Sequence, residues 1–206
     1  MDVSIRLATA DDVSRIVEIV NSDTGDETVA LMGSNDLAGA YREKLIEYQG
    51  IPNTERITAV AHIDDKVVGV IQYRFGDRGS HGRLTHIRIL TSLVGPLGVL
   101  RRAPQLLGRM RAQIPIPEDS FYITLVQVDP AYQNDGVGTR MLEWTDQEAK
   151  RLGAPRMTLT TTANNPARHL YERCGYNITT AATHRSYVRN LQVPGRLLME
   201  KSIKPS

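Results

Sequence analysis

Two glycines, two residues apart, follow a β-branched run near the middle of the chain and open directly into an amphipathic pattern. Residues 126–138 read VQVDPAYQNDGVG, and the two glycines are Gly136 and Gly138. Because glycine has no Cβ, the backbone there can approach a bulky anion. The start of a helix adds unbonded N–H groups and a positive dipole end. The spacing therefore predicts a site for a phosphate-bearing molecule.

The pattern that follows these glycines predicts a helix with one buried face. Apolar residues recur after Val137 at three- to four-residue spacing, and Gly153 supplies a stop. The helix is thus expected over Val137–Leu152.

The sequence around Gly136 and Gly138 does not match either of two common phosphate-binding loops. A dinucleotide-binding loop needs a third glycine where Met141 stands, and the next predicted strand, Met157–Thr161, offers no acid for a ribose. A P-loop needs Gly-Lys-Ser/Thr, and no such tripeptide follows Gly136.

Two motifs in this region together resemble the GCN5-related N-acetyltransferase (GNAT) family. Residues 133–138, QNDGVG, match its Q-x-x-G-x-G signature. Residues 164–176, NNPARHLYERCGY, match its N-x-x-A-x-x-L-Y-E-x-x-G-[FY] segment, with Asn164 and Tyr171 at the corresponding positions. The motifs occur in the family's order, and the resemblance is strongest over 121–180. It implies a mixed α/β sheet of the GNAT-like acyl-CoA N-acyltransferase fold. The resemblance does not explain residues 76–120, where the residue pattern itself predicts a helical insertion between the third and fourth strands.

The resemblance also implies where coenzyme A is held. The strand ending at Val128 is expected to splay from its neighbour, so that backbone groups of Val126 and Val128 bind the pantetheine arm. One of their N–H groups could stabilise the developing oxyanion, an effect of about 10²–10³ in rate in other enzymes. The implied contacts are Val126, Gln127, Val128, Gln133, Asn134, Asp135, Gly136, Val137, Gly138, Thr139, Asn164 and Tyr171.

Three residues of these motifs carry further expectations. Asp135 departs from the family's usual basic or neutral residue, and it is expected to point away from the diphosphate. Arg140, in the first helical turn, could add positive charge. Asn164 is also a suitable N-cap for a helix beginning at Pro166.

Tyr171 is the candidate catalytic residue, since the family commonly places a phenol near the thioester sulfur. Its hydroxyl would protonate the departing thiolate as general acid. The alternative is a tyrosine packed at the core edge with a solvated hydroxyl.

The general base is not identified by the sequence. The family often uses a Glu on the strand before the loop, but Thr124–Gln127 contains no carboxylate. His86, Glu118, Asp119 or a chain of waters could serve.

Neither the cysteine nor the histidines predict further chemistry. Cys174 is alone and precedes Gly175 at a helix end, which favours a small buried residue over a nucleophile. The histidines lack the spacings of metal sites, so no metal is expected.

A basic segment interrupts the chain between two predicted strands. Residues 76–120 contain seven arginines and no acid from Arg78 to Pro117, so this stretch carries +7 while the whole chain carries +2. The segment could be a lid that shapes the acceptor pocket and attracts an acidic substrate, a solvated helix face, or a polyanion-binding surface. It contains no aromatic residue, which makes nucleic acid an improbable partner.

Length and composition predict one GNAT-like domain over 1–206 with this Arg-rich insertion at 76–120. The first residues do not read as a signal peptide, and the longest apolar stretch, Ile89–Leu100, is too short to span a bilayer. We expect a cytoplasmic protein; its oligomeric state stays open, with a homodimer as one candidate.

Periodicity places the remaining elements. Strands are expected at Val3–Ala8, 57–63, 67–75, 122–128, 156–162, 176–180 and 197–202. Helices are expected from a Thr9–Asp12 capping box through about Val20, at 36–49 and at 166–174. The Arg-rich segment is expected to form one or two short helices, the second beginning at Pro104.

These observations together predict an acyl-CoA-dependent N-acyltransferase that transfers acetyl from acetyl-CoA to a primary amine by direct attack, the acceptor being a small molecule or a protein. The alternative is a non-catalytic acyl-CoA sensor or interaction module, which the missing strand carboxylate favours and Tyr171 opposes.

Overall fold

A mixed sheet forms the centre of the molecule in the computed structural model, which describes residues 2–22, 26–54, 56–75 and 82–203. The strands within these ranges are β1 (Ser4–Leu7), β2 (Ile57–Ile63), β3 (Lys66–Phe75), β4 (Ser120–Val128), β5 (Arg156–Thr162), β6 (Asn177–Ala182) and β7 (Arg196–Ser202). They lie in the order β1-β2-β3-β4-β5-β7-β6. Neighbours are antiparallel except β4 and β5, which are parallel. The predicted mixed α/β sheet is thereby confirmed.

Helices pack on both faces of the sheet. In the described ranges they are α1 (Val13–Ser22), α2 (Asp26–Met32), α3 (Asn35–Gln49), α4 (Gly82–Arg101), α5 (Ala103–Arg111), α6 (Val137–Arg151), α7 (Arg168–Arg173) and α8 (Arg185–Leu191). Short 3₁₀ turns precede α1, at Ala10–Asp12, and α6, at Pro130–Tyr132.

The sheet separates two apolar cores. On one face α6 buries Val137, Met141 and Leu142 against Phe121 and Leu159 of the sheet. On the other face α1 packs Ile16 and Ile19 in a cluster with Val60 and Val70. Because successive strand residues point to opposite faces, each core uses alternate positions of the same strands.

Local sequence signals explain several element ends. Asp64 and Asp65 both have positive φ, 46° and 64°, as a two-residue hairpin turn between β2 and β3 requires. Gly153 ends α6 with φ 69°. The Thr9–Asp12 interaction is present: the Thr9 amide donates to Asp12 Oδ2 at 2.8 Å.

Two short helices were not predicted from the sequence. α2 lies where a polar loop was expected, and α8 lies in the stretch before β7. Each spans only two turns, so neither shows a sustained apolar repeat; tertiary packing stabilises them. Leu31 of α2 and Tyr187 and Leu191 of α8 share one buried cluster.

The Arg-rich segment leaves and rejoins the sheet at one point, since Phe75 of β3 lies opposite Phe121 of β4. Its helices are α4, which is kinked at Gly95 (φ 68°), and α5, which has Pro104 in its first turn as expected. These helices pack against α3 and α8 rather than standing free of the molecule.

The arginines of this segment do not form one surface. Arg88, Arg101 and Arg111 are exposed, whereas Arg102 donates to the carbonyl oxygens of Leu31 and Met32. Arg109 instead pairs with Glu27 of α2. Arg78 and the Arg83 side chain lie outside the described part of the chain.

Candidate active site

The sheet opens into a cleft between β4 and β5. The two strands pair only from Ser120–Arg156 to Ile123–Leu159. Beyond that point β4 continues to Val128 along β3, and β5 continues to Thr162 along β7.

A β-bulge lies where the two strands separate. Leu125 is opposite Gln72 and Ile123 is opposite Tyr73, so Thr124 is an extra residue on β4. Bulges bend the strand that carries them and increase its twist. The bulge follows directly on the last residue paired with β5, and it accounts for the expected splay of this strand. Val126, Gln127 and Val128 line the β4 side of the cleft and are half-buried.

The loop after β4 is tied to the end of that strand by side chains. Asp129 accepts a hydrogen bond from the Ala131 amide at 2.9 Å and forms an ion pair with Arg15. Both interactions lower the pKa of the Asp129 carboxyl, the hydrogen bond being the largest single cause. Gln133 Nε2 donates to the Val128 carbonyl at 3.1 Å. The motif glutamine therefore has a structural contact of its own, which fixes the loop over the mouth of the cleft.

The start of α6 offers backbone amides to a ligand. Asn134 and Gly136 adopt left-handed backbone conformations, with φ 71° and 84°, and this turn begins the helix at Val137. Within the described ranges no side chain caps this terminus. The amides of Val137, Gly138 and Thr139 precede the first intrahelical hydrogen bond, which Arg140 makes to Gly136 at 3.0 Å. Uncapped amides at a dipole's positive end fit a diphosphate group.

Charge around this terminus is exposed and adjustable. Asp135 and Arg140 are both exposed, and Arg140 lies 3.4 Å from Glu143, one turn along the same face. Exposed i,i+3 pairs of this kind contribute little stability, so Arg140 can turn towards a bound anion at small cost.

Gly138 has a packing role that the sequence did not indicate. A Cβ built on Gly138 would lie 2.9 Å from Cδ2 of Leu170 on α7. The absence of a side chain at Gly138 therefore lets α7 approach α6. By contrast, a Cβ at Gly136 would meet no described atom within 4 Å.

Tyr171 lies on α7, on the α6 side of the sheet. It is 7% exposed and packs edge-on against Tyr176, with ring centroids 6.3 Å apart. Burial raises the pKa of Tyr171 to about 12, and no hydrogen bond from a described residue reaches its hydroxyl. The phenol is therefore protonated at neutral pH and retains an unused donor.

Asn164 does not cap α7. The helix begins at Arg168, two residues later than expected, and it is Asn165 Oδ1 that accepts from the Ala167 amide at 2.9 Å. Asn164 is exposed in the turn between β5 and α7.

The structure places the candidate general bases in two places: His86 lies on α4, whereas Glu118 and Asp119 lie together in the turn before β4. Glu118 and Asp119 are exposed and precede β4, at the end of the strand away from the cleft. Asp119 also pairs with Arg156 at 3.1 Å. His86 lies on α4, where its Nδ1 is bonded to the Tyr41 hydroxyl; burial, and then the charges of Arg109 and Arg56, lower the pKa of the imidazole.

A line of polar contacts crosses the sheet face opposite α6. Tyr122 Oη and Thr160 Oγ1 are 2.8 Å apart beside the opening of the cleft. Arg196 Nη2 lies 3.4 Å from Thr160 Oγ1, and Arg196 Nε lies 3.8 Å from Glu27 Oε2. Arg109 Nε lies 3.0 Å from Glu27 Oε1. We call these five residues the polar line; it connects the cleft to the Arg-rich segment.

Sequence reasoning missed most of the polar line. Glu27 was placed in a polar loop, and nothing in the local pattern distinguishes Arg196 from other strand-edge arginines. Only the fold brings α2, α5 and β7 together.

Two further expectations concern Cys174 and metals. Cys174 is half-buried, and burial is the main cause that raises the pKa of its thiol, so a reactive thiolate is disfavoured. In the described ranges, no three His, Cys, Asp or Glu side chains are grouped so as to hold a metal ion. Among the same residues, no helix has the length and apolar character needed to cross a membrane.

Known proteins share both the sequence pattern and the fold. Residues 27–176 match the sequence profile of the Acetyltransferase (GNAT) family. This chain belongs to that family. The family resemblance expected from the two motifs is thereby confirmed, and acetyl-CoA is the cosubstrate that this acetyltransferase family uses. No curated protein sequence is significantly similar to the chain.

Solved GNAT structures superpose over nearly the whole chain. A histone acetyltransferase HPA2 and related acetyltransferase from Corynebacterium glutamicum is 20% identical, with a TM-score of 0.70, and the match covers 100% of this chain and 99% of that one. The PaiA N-acetyltransferase from Thermoplasma acidophilum, in complex with coenzyme A, is 15% identical, with a TM-score of 0.60 and coverage of 98% and 99%. The ribosomal-protein-S18-alanine N-acetyltransferase from Escherichia coli is 15% identical, with a TM-score of 0.58 and coverage of 100% and 96%. At these identities the likeness shows the GNAT fold.

Proposed function

We propose that this GNAT protein transfers the acetyl group of acetyl-CoA to a primary amine by direct attack of the amine. The observation that carries the proposal is the junction of the β4–β5 cleft with an uncapped helix start. A thioester lying in the cleft would be reached from the sheet face that carries the polar line.

Backbone groups would hold the cosubstrate. The amides from Gln133 to Thr139 would bind the diphosphate, with Arg140 adding charge, because helix starts favour anions. The β4 residues 126–128 would bind the pantetheine arm through backbone groups that β5 no longer pairs. Asn164 would contact the cofactor from the turn after β5. Acetyl-CoA supplies the acyl group as an activated thioester.

Tyr171 would be the general acid of the transfer. Its hydroxyl carries a proton at neutral pH and makes no hydrogen bond to a described residue. A donor of this kind is available to a leaving thiolate, and general acid catalysis typically contributes about 10²–10⁴ in rate.

A thiol-release assay with a panel of primary amines tests the proposal. We expect steady turnover by the wild type with acetyl-CoA. A melting scan provides an independent check: at about 100 times its dissociation constant, acetyl-CoA should raise the midpoint by about 5–11 °C. A midpoint that responds to NAD and not to acetyl-CoA would contradict the assignment.

A second candidate is an acyl-CoA sensor or interaction module without turnover. It is favoured by the absence of a carboxylate in β4 from Thr124 to Gln127. Binding of acetyl-CoA together with no thiol release across the amine panel would support the sensor.

A further inference from the structure

We infer that the acceptor is an amine that also carries a carboxylate, and that Arg109 and Arg196 of the polar line bind this carboxylate. The inference rests on the proposed acetyl transfer and specifies its substrate class. It depends on where the charges of the described residues lie relative to the cleft.

The polar line begins at the opening of the cleft. Leu159 and Phe121 belong to the core beneath α6. Their neighbours Thr160 and Tyr122 therefore face the opposite side of the sheet. Ile123 and Leu159 are the last paired residues of β4 and β5, so the Tyr122–Thr160 contact lies at the point where the strands separate. An acceptor on this face would lie next to the reacting end of the cleft.

Positive charge predominates on this face. Arg74 lies 5.2 Å from the centre of the Tyr122 ring, and Arg196 and Arg109 both contact Glu27. These three guanidinium groups and one carboxylate give a net charge of +2. A cleft lined by one sign of charge attracts ligands of the other sign.

The guanidinium groups have donors left for a ligand. Arg109 contacts Glu27 through Nε, and neither of its Nη atoms has a partner among the described residues. Arg196 is 18% exposed and uses Nε towards Glu27 and Nη2 towards Thr160. Paired Nη donors match the two oxygens of a carboxylate in a planar, bidentate arrangement.

A buried tyrosine adjoins the same carboxylate. Tyr187 is fully buried on α8, and burial, followed by the negative charge of Glu27, raises the pKa of its phenol. Glu27 Oε1 also lies 3.0 Å from Arg109 Nε, so contacts within the fold hold this carboxylate beside the arginines.

Glu27 lies between the two arginines, with a side chain 15% exposed, and it leaves the net charge of this face positive. An amine with a carboxylate would bring its negative end to the arginines, and its amine would attack from the cleft as the free base. A plain diamine would instead bring a second positive charge against a positive face.

Matched amines that differ only at the far end of the molecule test this inference. We would compare 4-aminobutyrate, butylamine and 1,4-diaminobutane, and the corresponding six-carbon series, by thiol release and by calorimetric binding to the protein saturated with CoA. The carboxylate members should show kcat/KM values at least about tenfold higher than the other two, as expected for a charge-assisted bidentate contact. Arg109→Gln and Arg196→Gln should remove about tenfold of this preference, so that the carboxylate members approach butylamine in kcat/KM.

Arg101→Gln is the matched control, because it removes the same charge from an exposed position of the same segment. It should preserve the preference. Equal kcat/KM values across each series, or arginine variants that lower all amines equally, would overturn the inference and leave the proposed acetyl transfer intact.

The binding measurement separates the two proposals. If no amine is turned over while carboxylate members still bind more tightly, and Arg109→Gln abolishes this difference, then the charged site stands and the acetyl transfer fails. Equal binding of all members in that case would overturn both.

Discussion

Gly108 of α5 packs directly against the backbone of Ser186 in α8. A Cβ on Gly108 would lie 2.9 Å from the Ser186 carbonyl oxygen and 3.1 Å from Cα of Tyr187. The neighbouring residue Arg109 contacts Glu27, so this close approach of two helices also determines where that guanidinium lies.

Gly108→Ala should destabilise the protein, because the obstructing atoms belong to backbone and cannot move aside. Overpacking of this kind costs about 1–3 kcal/mol. Gly39→Ala is the control: Gly39 is also inside a helix, but a Cβ there meets its nearest side-chain atom at 3.6 Å. That variant should gain about 0.5–1 kcal/mol from helix propensity. Urea unfolding of both variants measures the difference, and the same sign of change in both would contradict the packing argument.

Tyr171→Phe should lower kcat by about a hundredfold or more if the phenol is the general acid. Since no described residue bonds the hydroxyl, its removal leaves no orphaned partner, and the melting temperature should hardly change. Tyr176→Phe is the matched control: Tyr176 is a buried tyrosine that packs against Tyr171, and among the described residues its hydroxyl contacts Met157 Sδ alone, at 3.8 Å.

The pH dependence of turnover follows from the same residue. Burial raises the pKa of Tyr171 to about 12, so the phenol keeps its proton up to a pH of about 11. The rate should therefore show no decline attributable to Tyr171 below that pH. For the substitutions themselves, a hundredfold loss of kcat in Tyr176→Phe as well as in Tyr171→Phe would indicate a packing effect and not the loss of a general acid.

Thr139→Asp should weaken acetyl-CoA binding without destabilising the fold. A carboxylate in the first turn of α6 interacts favourably with the helix dipole, by about 0.3–1 kcal/mol, but repels a diphosphate on the same amides. Gln147→Glu adds the same charge at an exposed position farther along α6. The acetyl-CoA melting shift should fall in the first variant and persist in the second; an undiminished shift in Thr139→Asp would place the diphosphate elsewhere.

Asp12 should make stability fall at acidic pH. Hydrogen bonds from Arg6 lower the pKa of Asp12 to about 2, from an ordinary value of 3.8. A lowered carboxyl pKa stabilises the folded state above the unfolded pKa, so this contribution is present at neutral pH and is lost as the pH falls from about 4 to 2. Because Arg6 is 44% exposed, we expect about 1 kcal/mol.

Asp12→Asn should therefore differ from the wild type at pH 6 and approach it at pH 2 in urea unfolding. The exposed neighbour Asp11 serves as control, as Asp11→Asn removes a carboxyl from the same turn. A stability difference independent of pH would assign the effect to capping alone.

The features of the proposed cofactor site could be predicted because each of them is local in the sequence. Each feature can be recognised from a few neighbouring residues: the glycine turn at Gly136, the apolar repeat that begins at Val137, and the spaced motif that contains Tyr171. Strands β2 and β3 could be predicted for the same reason, because they flank the two-residue turn at Asp64 and Asp65.

The proposed acceptor site could not be predicted because its contacts join distant segments. Glu27, Arg109 and Arg196 come from α2, α5 and β7, and each is an ordinary charged residue in its own sequence neighbourhood. α2 and α8 are too short to show a repeat, and their burial depends on one another. The packing contact of Gly138 could not be predicted for the same reason, since Leu170 lies on another helix.

The pairing of Phe75 with Phe121 has an implication for how this scaffold can vary. The chain leaves β3 at Phe75 and rejoins the sheet at its pairing partner, Phe121. The segment between these two residues could therefore be replaced by a shorter or longer one while the hydrogen-bond register of β3 and β4 is kept. Of the proposed acceptor site, Arg109 could then be redesigned within this segment, separately from the residues proposed to bind coenzyme A, whereas Glu27 and Arg196 lie outside it.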